Sequence, residues 1–139
     1  MIKKNIIFVI VFVMAIVLVV NFYVLSQHSC TTLQKIEATL TVKIIPGLGM
    51  LGLNADTDAL RFGVVSPGIA AMRKIYIEHS EDAVVQVRMQ GELASWTSIS
   101  PETFNISQGE SKEVIFEVSV PKYALPGNYT GAAVLCIQE

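Results

Sequence analysis

Apolar residues run without a charge from Ile6 to Leu25, whereas from Ile36 onward polar and apolar positions alternate with a period near two. The first pattern predicts a membrane-crossing helix, because its 20 residues match the roughly 20 needed to span a ~30 Å hydrocarbon core. Lys3 and Lys4 precede the run, and no Lys or Arg follows until Lys35. The positive-inside bias then keeps the N-terminus in the cytoplasm and carries residues 26 onward to the other side. Asn21, Phe22 and Tyr23 would fall near the outer interface. A signal peptide cut after Ser26 is the alternative, but its apolar core is ordinarily about 7–15 residues, so an uncleaved anchor over residues 1–25 is the expectation. Cys30 as a lipoprotein cysteine is a third option; Gln27-His28-Ser29 before it lack the small, apolar pattern of such a signal.

The second pattern predicts a sheet domain. Residues 26–35 read as a polar tether and residues 36–139 as the domain itself, with no helical periodicity. Thr39 to Ile45 is a β-branched strand. Leu60 to Val64 is a short one, closed by Ser66-Pro67-Gly68, where Pro fixes φ and Gly tolerates positive φ. Arg73 to His79 sets Ile75 and Ile77 against Lys74, Tyr76 and Glu78, and Ala83 to Met89 turns Val85, Val87 and Met89 inward. Trp96 to Ile99 and Thr103 to Ile106 flank Ser100-Pro101-Glu102. The clearest alternation follows the turn Ser107-Gln108-Gly109-Glu110. There Val114, Phe116, Val118 and Val120 share a face opposite Glu113, Ile115, Glu117 and Ser119, until Pro121 removes a ladder donor. Pro126-Gly127-Asn128 leads into a last strand, Tyr129 to Ile137, with Tyr129, Gly131, Ala133, Leu135 and Ile137 inward. About eight short strands at roughly 8–12-residue spacing predict an all-β antiparallel sandwich.

Composition removes several classes. Of 139 residues, 52% are hydrophobic and 16% charged, which excludes disorder and leaves room for about one domain. Beyond residue 25, eight basic residues face all twelve acidic ones, a net charge of −4. Such a domain has no electrostatic pull toward nucleic acid or an anionic membrane surface.

Three stretches resemble the Ig-like sandwich modules of archaeal and bacterial cell-surface proteins. They are Leu60-Arg61-Phe62-Gly63-Val64-Val65-Ser66-Pro67-Gly68, then Trp96-Thr97-Ser98-Ile99-Ser100-Pro101-Glu102-Thr103-Phe104, then Gly109-Glu110-Ser111 on through Val118-Ser119-Val120-Pro121 to Pro126-Gly127-Asn128-Tyr129-Thr130-Gly131. The resemblance implies an Ig-like sandwich of about seven or eight strands serving as an envelope or adhesion module without a catalytic centre. Its motifs are turns and core positions, so it bears on fold far more than on function. The anchor-plus-sandwich layout is also similar to the archaellum stator proteins. If the first strand runs parallel to the last, as in many Ig-like sandwiches, Cys30 lies near the Gly127 end. At ~3.3 Å per residue, Cys136 is then ~30 Å away, far beyond the ~7 Å limit for a disulfide. Free thiols lead on this reading, with intrachain and intermolecular disulfides as the alternatives an extracytoplasmic address brings.

Candidate chemistry is sparse. Gly47-Leu48-Gly49-Met50-Leu51-Gly52 spells G-x-G-x-x-G, but the Asn54-Ala55-Asp56-Thr57-Asp58 that follows is a turn rather than the helix N-terminus a pyrophosphate needs. The segment reads instead as a kink where the first strand changes sheets, with Leu48, Met50 and Leu51 as an apolar tip for a partner. Asn54, Asp56 and Asp58 alternate like the start of a calcium loop. The Gly and Glu such a loop needs are replaced by Ala59 and Val65, which leaves a polar turn. His28 and His79 have no second ligand at metal spacing. A nucleophile elbow is missing, and Glu81 and Asp82 read as a solvated hairpin turn. No catalytic residue, metal or cofactor is expected. Asn105-Ile106-Ser107 and Asn128-Tyr129-Thr130 are glycosylation sequons at strand ends. Thr130, Ala132 and Val134 form a small, apolar outward strip on the last strand. At a sheet edge that strip would template a partner's strand; otherwise a neighbouring strand or loop covers it.

Together these features predict a non-enzymatic, single-pass envelope protein. Its extracytoplasmic domain would dock onto another surface protein, or a second copy, through Leu48, Met50, Leu51 and the last-strand strip. A stator-like subunit of a surface filament or motor is the first alternative. A secreted carbohydrate-binding module presenting Tyr76 and Trp96 is the second.

Overall fold

The computed structural model describes residues 12–21, 30–46, 50–51 and 59–138, with the backbone alone described at 50 and 51. The chain divides into two units, Met1–Cys30 and Thr31–Glu139. In the first, residues 12–21 form a helix whose apolar side chains are exposed, and Asn21 Nδ2 donates to the Val17 carbonyl at 2.8 Å, one turn back. Residues 1–11 and 22–25 of the expected anchor lie outside the described residues. Among the described residues, no helix is long and apolar enough to cross a membrane.

The second unit is two β-sheets. The larger has the order β2-β3-β1-β9-β5-β7, from Met50–Leu51 (β2), Ala59–Val65 (β3), Thr32–Val42 (β1), Gly127–Gln138 (β9), Ala83–Gly91 (β5) and Thr103–Ile106 (β7). The smaller, β4-β8-β6, is built from Ala70–Glu78 (β4), Ser111–Ser119 (β8) and Thr97–Ser100 (β6). All pairings are antiparallel except β1 with β3, so the larger sheet is mixed where a wholly antiparallel arrangement was expected. Period-two alternation aims one face of each sheet at the other. Val114, Phe116 and Val118 of β8 are buried, as are Val85 and Val87 of β5 and Ala133, Leu135 and Ile137 of β9. Every buried side chain among the described residues is apolar. Burying one the size of Phe62 or Phe116 is worth about 1.5–3 kcal/mol, so the shared core holds the two layers together.

The strands and connections expected from the sequence need several corrections. β1 begins at Thr32, so residues 32–35 belong to the sheet and not to a tether. Leu33 and Lys35 are exposed and give no burial signal; the ladder to β9, from Thr32 opposite Ile137 to Val42 opposite Gly127, recruits them. Trp96 is not in a strand. It closes a 3₁₀ turn, Glu92–Trp96, which starts after Gly91 at φ +87°, buries Leu93 and is stitched by Thr97 Oγ1 donating to the Leu93 carbonyl at 2.7 Å. The chain does not change sheets after β1, because β2 returns antiparallel to β3 at the edge of the same sheet. Finally, β1 runs antiparallel to β9, opposite to the direction expected for the first and last strands.

Candidate functional site

The direction of β1 decides the cysteines. Antiparallel pairing puts Leu33 opposite Cys136, and Thr31 N–H donates to the Ile137 carbonyl at 2.9 Å, so Cys30 reaches the end of β9 that carries Cys136. Both cysteines are disulfide-bonded, and they are the only two in the chain. The expected free thiols are thereby corrected to an intrachain bond. Such bonds persist in oxidising compartments, which suggests that the sheet domain is extracytoplasmic.

The same ladder removes the strand-addition route. β9 lies between β1 and β5, so Thr130, Ala132 and Val134 are not on an edge. Ala132 is only 6% exposed and Val134 is half-buried. Over this outer face runs an open furrow of about 470 Å³ flanked by Lys35, Glu37, Thr39, Gln90 and Glu92. Glu92 reaches into it, its Oε2 accepting the Thr130 N–H at 2.9 Å and the Thr130 hydroxyl at 3.4 Å. Gly131 is required at its floor, because a Cβ there would meet the Gln90 carbonyl oxygen at 2.7 Å.

The outer face of the three-stranded sheet carries a polar cluster. Glu113 on β8 accepts from Lys74 Nζ at 3.0 Å and from the Tyr76 hydroxyl at 2.9 Å, both on β4. The hydrogen bonds from Lys74 and Tyr76 hold the Glu113 carboxyl below its ordinary range, and the same bonds raise both partners. Tyr76 is exposed there, whereas Trp96 is half-buried against Tyr129, ring centroids 4.6 Å apart, and packs on the core. The two aromatics therefore form no common platform.

The remaining candidates scatter. Leu48 lies outside the described residues, as do Asn54, Asp56, Asp58 and His28; of Met50 and Leu51 the backbone alone is described, as β2. His79 is half-buried in a turn, its carbonyl accepting from Gly109 N–H at 3.1 Å. Asp82 does structural work there, since its Oδ1 accepts the Gln108 N–H at 2.8 Å and ties two turns together. Asn105 is exposed on edge strand β7. Asn128 is exposed at the start of β9, with its Oδ1 accepting from Thr41 Oγ1 at 2.8 Å.

At the end of the sandwich opposite the disulfide, three loops converge. Residues 43–46 follow β1, residues 66–69 join β3 to β4, and residues 120–126 join β8 to β9. Their bases are tied by hydrogen bonds: Ser66 Oγ to the Lys43 carbonyl, Gly68 N–H to the Val120 carbonyl, and Val120 N–H to the Ile69 carbonyl. Tyr129 OH holds the Leu125 carbonyl at 2.8 Å. From this base project Ile44, Ile69, Tyr123 and Leu125, exposed by 68, 38, 87 and 74%. Single exposed apolar residues are ordinary; here four stand on adjoining loops. Sequence reasoning missed them, although a signal existed: Tyr123 and Leu125 sit between Pro121 and Pro126, where a solvated turn would carry polar residues.

Comparison of the chain with protein-family models, with curated proteins and with solved structures finds no match.

Proposed function

We propose that this chain is a non-enzymatic, single-pass protein of the cell envelope. Its two-sheet domain is an Ig-like module held outside the membrane, where it docks onto another surface protein. The uncharged run Ile6 to Leu25 supports the anchor, with Lys3 and Lys4 on the cytoplasmic side. The Cys30–Cys136 bond supports the outer address. The observation that carries the contact role is the tip, where Ile44, Ile69, Tyr123 and Leu125 stand in solvent on loops braced by hydrogen bonds. A stator-like subunit would use the same tip and differ only in its partner.

The test is mild-detergent purification of the full-length protein from its own membranes, with mass spectrometry of co-eluting proteins and of its N-terminus. A stoichiometric surface protein that is lost from the Tyr123→Ser, Leu125→Ser variant supports the reading, and its identity separates adhesion from a stator role. Elution alone, with the N-terminus cut near Ser26, overturns it.

A further inference from the structure

The two ends of the sandwich differ in charge, while exposed apolar side chains occur at both, Leu33 and Val84 standing near the disulfide. At the end nearest the disulfide, the turns around His79 and Gly109 gather Glu78, Glu81, Asp82 and Glu110 against Lys112. At the tip, the loops 43–46, 66–69 and 120–126 hold Lys43 and Lys122 and no carboxylate. This inverts the domain average of −4 beyond residue 25. The Lys122 stem lies over Gly68, where a Cβ would meet its Cγ at 3.2 Å, so the side chain runs along the loops beside Ile69. Such a stem covers apolar surface while its ammonium stays at the rim of the patch.

We propose that the tip recognises an acidic protein surface surrounding an apolar recess, a deepening that rests on the reading of the tip as a contact. The tip loops carry two lysines and no carboxylate on a domain that is acidic overall, so complementary charge favours this end toward an acidic partner and sets orientation and encounter rate. The apolar centre supplies the desolvated anchors. Tyr123, with few rotatable bonds on a hydrogen-bonded base, is the type of residue that dominates such contacts. An anionic bilayer is the weaker fit, because two lysines add only about 1 kcal/mol each at a charged leaflet and the domain that follows them is acidic.

The proposal is tested by photo-crosslinking in intact cells that make the full-length protein, with Tyr123→p-benzoylphenylalanine as the probe. Protection of Cys30 and Cys136 from thiol alkylation reports folding in every variant. Adducts on an acidic segment of another protein are expected. Their yield should fall about tenfold on Lys43→Glu with Lys122→Glu and stay unchanged on Lys35→Glu with Lys112→Glu, which alter the body and far end. Protein adducts indifferent to the tip lysines overturn the acidic partner and leave the contact reading standing. Adducts on lipid, or none, overturn both.

Discussion

The end of the sandwich that carries the disulfide and the end that carries the tip are built from the same strands and solve opposite problems. At the disulfide end, polar groups are consumed internally: Asp82 takes the Gln108 N–H, Glu110 Oε2 takes the Ser107 N–H, and His79 takes the Gly109 N–H. At the tip, hydrogen bonds brace the loop bases and leave Ile44, Tyr123 and Leu125 in water. A sandwich needs nothing apolar beyond its sheets, so the first end holds the fold and the second is the end on which the proposed contact rests.

The two ends share one core between the sheets. Phe116→Ala empties a fully buried site between the sheets and is expected to cost about 3–5 kcal/mol, lowering the stability of both ends together in a denaturant titration. Loss of the disulfide, through Cys30→Ser with Cys136→Ser, is expected to cost about 2–4 kcal/mol. Here the ends should separate. Amide exchange should accelerate first along residues 31–36 and 135–137, while amides at the loop bases keep their protection.

Smaller effects sharpen the contrast. Glu113 is held below its ordinary pKa by Lys74 and Tyr76, so its favourable contribution is present above the unfolded-state value and is lost as the pH falls through the lower folded one. Lys74 is raised by the same pair, and its contribution is lost only as the pH rises through its elevated value. Titration by NMR should show the Glu113 midpoint below that of an ordinary glutamate. Glu113→Gln should return Lys74 and Tyr76 toward ordinary values with scarcely any change in melting temperature, since the cluster is solvated. The smallest effect on stability belongs to the tip. Tyr123→Ser and Leu125→Ser should shift the unfolding free energy by no more than about 0.5 kcal/mol while weakening association, the signature of residues that serve contact rather than folding.

Much of the architecture was legible because burial repeats with the pleat. The inward sets Val114, Phe116, Val118, Val120 and Ala133, Leu135, Ile137 follow directly from alternation, and the turns follow from Pro and Gly. Residues 32–35 were not legible, because backbone pairing rather than burial makes them strand. Nor was the 3₁₀ turn, whose single buried anchor, Leu93, leaves no periodic trace. Whether Thr130, Ala132 and Val134 lie on an edge or beneath a neighbour was not legible, because a sequence does not state which strands flank the last one.

Local chemistry along the chain determined that residues beyond the apolar N-terminal run form two-faced strands, where those strands turn, and that the sheet domain is acidic overall. Strand order and direction were decided only in three dimensions. They depend on which pairing lets all the apolar faces meet at once, a non-local condition that no segment encodes alone. From that one decision follow the Cys30–Cys136 bond, the burial of Ala132, and the gathering of Ile44, Ile69, Tyr123 and Leu125, far apart in sequence, on a single lysine-rimmed tip.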